Sequence, residues 1–239
     1  MGAMNPNDPN VRMLEVVSSR LSPALRNSVV FVGGAAAGLL ITDLAFPAVR
    51  RTSDVDIVTS AEGLTDYYRI EDQLRDLGFE QDQSPEAPVC RWRVDGVAVD
   101  IMPTLEEVLG FTNQWYRMAV ATAQTLILPN GLTIRVLRAP EFIATKLEAF
   151  YGRGAGDYWL SHDMGDIISV VDGRPTLIEE CLQSLAPLRA YLSVQFKTLL
   201  ADRRFADALT GHLPPDEASQ ARLKDLLLKI QQMSELPNS

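Results

Sequence analysis

Three aspartates carry most of the chemistry open to this chain. Asp54 and Asp56 stand two apart in Ser53-Asp54-Val55-Asp56, at the head of an apolar run. In a strand, residues two apart point to the same face. Both carboxylates therefore project together, with Val55 turned into the core. Two such charges repel unless a cation sits between them. Hard divalent cations, Mg²⁺ or Mn²⁺, choose carboxylate oxygens and keep sites for substrate phosphates. Asp100 interrupts the apolar run from Gly96 to Met102, where a charge is costly to bury unless paired or coordinating metal. Three carboxylates on two neighbouring strands suit two metal ions. Such a pair stabilises the attacking and leaving oxygens of an in-line phosphoryl displacement.

Upstream, Gly33 and Gly34 close the apolar run Val29 to Val32 and precede Ala35-Ala36-Ala37. Glycine lets backbone approach a ligand closely, and free N–H groups at a helix start attract phosphate. A second polar cluster lies in the segment 146–166: Lys146, Arg153, Asp157, His162, Asp163 and Asp166. Lys146 and Arg153 are candidates to face a triphosphate, since cations neutralise charge on transferring phosphoryl groups. Asp163 and Asp166 are three apart and share a helical face. The plain alternative is a helix start, with Ser161 as cap and Asp163 favouring the N-terminal dipole.

The elements that position these residues read in order. Residues 1–10 look disordered, and Val11 to Arg26 has helical periodicity. Val29 to Val32 is a strand, Ala35 to Leu44 a helix, and Asp54 opens the next strand. Glu62 to Leu77 is a helix stopped at Gly78. Phe79 to Pro88 reads as loop. Val89 to Val94 alternates as a half-buried strand, and Asp95-Gly96 marks a two-residue hairpin into the Asp100 strand. Met118 to Leu128 and Leu132 to Leu137 read as strands joined at Asn130-Gly131. Pro140 opens a helix, and the chain is helical from there, with one long helix expected over Asp216 to Met233. The expected organisation is an α+β fold. A mixed-sheet domain over 11–138 is followed by a helical bundle over 139–239, with a cleft between them.

Gly33-Gly34, then Asp54-x-Asp56, then Asp100, resembles in order and context the nucleotidyltransferase superfamily related to DNA polymerase beta. The gap from the glycines to Asp54 is closer to the AbiEii/AbiGii toxin-type group. The resemblance spans roughly Phe31 to Arg174. It implies a metal-dependent enzyme that moves a nucleoside monophosphate from an NTP (ATP among them) to an acceptor hydroxyl on RNA, protein or a small molecule, releasing pyrophosphate. It implies Asp54, Asp56 and Asp100 as metal ligands, with Asp100 also helping to deprotonate the acceptor. Gly33, Gly34 and nearby hydroxyls, Ser53 among them, would hold phosphates. Lys146 would contact nucleotide, with Arg153 beside it. Asp163 or Asp166 would assist chemistry. A toxin–antitoxin or phage-defence role, with a cognate antitoxin partner, comes with the same group. One departure stands out: Ala35 follows the glycines where the family often has Ser or Thr, so backbone N–H groups must do more.

Composition sets outer bounds. The chain has 239 residues, 46% of them apolar and 22% charged, ordinary for a globular protein. No apolar run approaches the roughly 20 residues of a membrane helix. The net charge of −9 opposes non-specific nucleic-acid binding, which rests on Lys and Arg. Cys90 and Cys181 lack metal-ligand spacing and suit reduced packing residues in a cytoplasmic protein. Two other classes stay in view. One is a non-catalytic binding partner on the same fold. The other is an Asp-x-Asp glycosyltransferase, which leaves Asp100 and the glycine turn without a role.

Overall fold

The computed structural model describes residues 4–61, 63–153 and 156–237, without the side chain of Arg153. They form two compact units. One comprises residues up to Leu39 together with Arg50–Arg138, and the other Leu40–Val49 together with Ala139 onward. The α+β class with a mixed sheet and a helical part is as expected.

The sheet unit opens with α1 (Pro9–Arg20) and α2 (Pro23–Ser28). Helix α1 begins at Pro9, two residues before Val11, because the Asp8 side chain accepts from Asn10 N and proline suits the first turn. Then come β1 (Val29–Val32), α3 (Gly33–Leu40), β2 (Asp54–Thr59), α4 (Leu64–Asp76), β3 (Glu80–Gln81), β4 (Arg91–Val94) and β5 (Val97–Pro103). Helices α5 (Glu106–Leu109) and α6 (Tyr116–Thr122) and strands β6 (Gln124–Ile127) and β7 (Thr133–Val136) complete it. Among the described residues these strands form one sheet in the order β3-β4-β5-β2-β1-β7-β6. Pairing is parallel for β2/β5 and β1/β7 and antiparallel elsewhere. Central β1 is Val-Val-Phe-Val and buried throughout, as a strand covered on both faces should be. Ala35, Ala36 and Ala37 are equally buried, and their small side chains let α3 come close. The Tyr67 hydroxyl donates to Ile101 O at 2.7 Å and ties α4 to β5. Burial pushes that phenol well above its usual range.

Four expectations for the sheet unit need correction. Val11–Arg26 is not one helix but two, broken at Leu21 and Ser22, where Ser22 caps α2. The helix expected over Ala35–Leu44 runs Gly33–Leu40. Met118–Leu128 is not one strand: Tyr116–Thr122 is helical, and β6 starts at Gln124. The alanines decide it. Ala119 is fully buried where α6 lies on β1 and β2, and alanine is the best helix former. The loop over Phe79–Pro88 contains the short edge strand β3.

The helical unit holds α7 (Ala139–Arg153), α8 (His162–Gly173), α9 (Leu177–Leu182), α10 (Ala186–Ala201), α11 (Arg203–His212), α12 (Glu217–Ala221) and α13 (Leu223–Ser234). The single helix expected over Asp216–Met233 is thus two, broken at Arg222. A helix leaves its last four carbonyls without helical partners, and those of α8 are met one by one. Val170 O accepts from Arg174 N, and Gly173 O from Thr42 N and Asp43 N. Val171 O and Asp172 O accept from Lys229 Nζ at 3.1 and 2.7 Å. Arg222 bridges Asp172 and Asp43 at 3.2 and 3.3 Å. Burial raises the Asp172 carboxyl and lowers the Lys229 ammonium from their ordinary values.

Candidate active site

The strand register puts the three aspartates side by side. Asp54 and Asp56 alternate with buried Val55 and Ile57 on β2, so they share a face. On the parallel neighbour β5, Asp100 is the direct partner of Asp56, and Ala98 the partner of Asp54. Asp100 is nearly buried, while Asp54 and Asp56 are half-buried.

A fourth residue joins them, one that the alternation over Val89 to Val94 does not single out. Arg91, on β4, pairs directly with Asp100. Its Nε donates to Asp100 Oδ1 at 2.7 Å, and its Nη2 donates to Asp100 Oδ2 at 2.8 Å and to Asp54 Oδ2 at 2.7 Å. The signal was present in the sequence. A two-residue Asp95-Gly96 turn sets Val94 against Val97, and three steps down the ladder it sets Arg91 against Asp100. The turn forms as read, with φ of 46° at Asp95 and 80° at Gly96, the pair of positive values a type I′ hairpin needs. Thr52 Oγ1 donates to Asp54 Oδ1 at 3.1 Å. Behind this face, burial and the charge of Asp100 push the Cys90 thiol up to about 12.

Gly33 closes the other side. It has φ +65°, and a Cβ built on it would lie 1.7 Å from Asp56 Oδ2 and 2.7 Å from Asp56 Cβ. Only glycine lets the start of α3 meet the Asp56 carboxylate this closely. Gly34 is buried behind it, and Ser53 is exposed just before β2.

The second polar cluster forms within the helical unit. Lys146, on α7, lies between two carboxylates of α8: Nζ is 2.9 Å from Asp163 Oδ1 and 2.8 Å from Asp166 Oδ2. All three residues are buried. Lys146 takes both Asp163 and Asp166, so contact with the lysine does not set one above the other. Ser161 caps α8, accepting from Met164 N, as the plain reading of the helix start has it, but Asp163 is buried against Lys146 and not solvated. His162 is exposed. His212 Nε2 lies 2.6 Å from Tyr158 O. The side chain of Arg153 lies outside the described residues. Trp92 is fully buried under the Arg75 guanidinium and serves packing.

Three carboxylates on one face offer the hard oxygens that Mg²⁺ takes, so the donor chemistry fits. As the side chains stand, however, a guanidinium holds three of the six oxygens. Among the described residues, no group of three or more His, Cys, Asp or Glu side chains is arranged to hold a metal ion.

No protein-family model and no curated protein matches the chain. Among solved structures it is similar to a candidate nucleotidyltransferase from H. pylori, at 11% identity and a TM-score of 0.46, over 98% of this chain and 96% of that one. It is also similar to JHP933 from Helicobacter pylori, at 11% identity and a TM-score of 0.48, over 99% and 94%. Likeness this distant carries no argument about activity.

Proposed function

We infer that the aspartate face of the sheet unit is the working face of a metal-dependent nucleotidyltransferase. One observation carries this reading: the parallel register sets Asp100 against Asp56, with Asp54 on the same face, where three acids gather although apolar residues would pack there at lower cost. Asp54, Asp56 and Asp100 would hold Mg²⁺. When bound, the metal neutralises charge on a triphosphate and lowers the pKa of an oxygen nucleophile. The reaction joins an acceptor hydroxyl oxygen to the α-phosphorus of an NTP and breaks the bond to the β-phosphate, so that pyrophosphate leaves. Gly33 supplies a close backbone approach beside Asp56. In the arrangement seen here both Asp100 oxygens accept from Arg91, so Asp100 takes the acceptor proton only after that arginine has moved.

A second reading has its own support. Arg91 already pairs with Asp54 and Asp100, so the acid cluster has a cation of its own without metal, as in a binding partner that has no catalysis. Calorimetric titration of each NTP with Mg²⁺ into wild type and Asp54→Ala/Asp56→Ala separates the two. Metal-dependent binding that disappears in the variant is the expected result. Wild type that is folded, as judged by circular dichroism, yet binds no NTP would overturn the enzyme reading and leave the partner role.

A further inference from the structure

Arg91 stands on three of the six carboxylate oxygens of the aspartate face. Its fork takes both oxygens of Asp100 and one of Asp54, at 2.7–2.8 Å. Paired, charge-assisted hydrogen bonds of this kind are strong and directional. A guanidinium is not deprotonated in proteins, so pH does not release it. A divalent cation bound by Asp54 and Asp100 would meet the guanidinium at the same oxygens, where two positive charges only a few ångströms apart repel each other. The Arg91 side chain is 24% exposed, against 12% for Asp100, so it has a route to solvent while its partner stays fixed in β5.

We propose that Arg91 is the resident counter-cation of this face, and that divalent metal binds by exchange: the guanidinium leaves Asp54 and Asp100 as the metal arrives. The proposal rests on the metal-dependent reading above. The free protein then holds its acids in register without metal, and it binds metal more weakly than the bare acids would. Loss of even one charge-assisted hydrogen bond of this class corresponds to about tenfold in affinity.

The test is Mn²⁺ binding followed by the electron paramagnetic resonance of free Mn²⁺, on full-length wild type, Arg91→Ala, Arg91→Lys and Asp56→Asn. Arg91→Ala should bind at least about tenfold tighter than wild type. Arg91→Lys, which keeps the charge but loses the fork, should fall between, and Asp56→Asn should bind more weakly. Equal or weaker binding by Arg91→Ala overturns the exchange. If neither wild type nor Arg91→Ala binds Mn²⁺, the metal reading falls with it, a different signature. Should Arg91→Ala not fold, wild type still decides. Its Arg91 Nε–H resonance should move to the position of a free arginine as Mg²⁺ saturates the protein. Saturation with that resonance unmoved refutes the proposal.

Discussion

Replacing Gly33 with alanine tests the geometry of the aspartate face without removing any of its charges. Two costs follow from the structure. At φ +65° an alanine pays the left-handed penalty of about 1–2 kcal/mol. The new methyl also meets Asp56, with Oδ2 at 1.7 Å, Cγ at 2.4 Å and Cβ at 2.7 Å. Turning the Asp56 side chain relieves the first two contacts but not the third. Asp56 Cβ is fixed by β2, which is paired with β1 on one side and β5 on the other. Overpacking of this sort costs about 1–3 kcal/mol, so the total is about 2–5 kcal/mol. Urea unfolding followed by tryptophan emission reads it, because Trp92 and Trp115 are both buried in the sheet unit. With a slope of about 1–3 kcal/mol/M, the midpoint should fall by roughly 1 M or more. Gly33→Ala with Asp56→Gly removes the clash but not the backbone penalty, and a double-mutant cycle isolates the difference. A loss below about 1 kcal/mol, or no coupling between the two sites, would refute the claim that Gly33 is there to admit Asp56.

Two further outcomes are expected. Lys146→Met leaves the buried Asp163 and Asp166 without their shared ammonium and should cost about 3–5 kcal/mol in denaturant unfolding, with Asp166→Asn costing less because the Asp163 pair survives. Hydrogen bonds from the Ser84 hydroxyl and amide, and then Arg93, hold Asp82 down at about 2. Its folded value lies below the ordinary one, so its contribution is full above the usual carboxylate range and is lost as pH falls through about 2. Tm measured against pH should place Asp82→Asn below wild type at pH 6 and level with it near pH 2.

Much of the fold and of the candidate site was legible because the signals were local. The buried run Val29–Val32, the glycines after it and the alternation around Asp54 each depend on a few neighbouring residues. Gly78 stops α4 as its position suggests: its N–H reaches back to Arg75 O, and its φ is +84°. What was missed depended on partners distant in sequence. Tyr116–Thr122 has a composition that serves strand or helix, and its packing on β1 and β2 decides. The break at Arg222 is visible only once Asp172 and Asp43 are seen to hold its guanidinium. Arg91 lies between the two cases. The hairpin turn is a local signal, but the residue that faces Asp100 emerges only from the ladder three steps below it.

The segment Leu40–Val49 belongs with the helical unit, although the chain on either side of it builds the sheet. It supplies the two amides that meet Gly173 O, the carbonyl of Leu40 that accepts from Arg174 Nη1 at 2.6 Å, and Asp43 for Arg222. Gly173 itself leaves no room for a side chain, with Ile41 Cγ2 and Phe46 Cδ2 at 2.7 and 2.8 Å from a built Cβ. No single cut in the gene therefore yields both units whole. A fragment starting at Ala139 would leave the Gly173 carbonyl at the end of α8 bare and an apolar patch uncovered. The same holds on the ribosome, where residues 40–49 emerge early and wait for α8 before they have a partner. A separately expressed helical unit should include this ten-residue stretch, supplied in trans as a peptide or grafted by circular permutation.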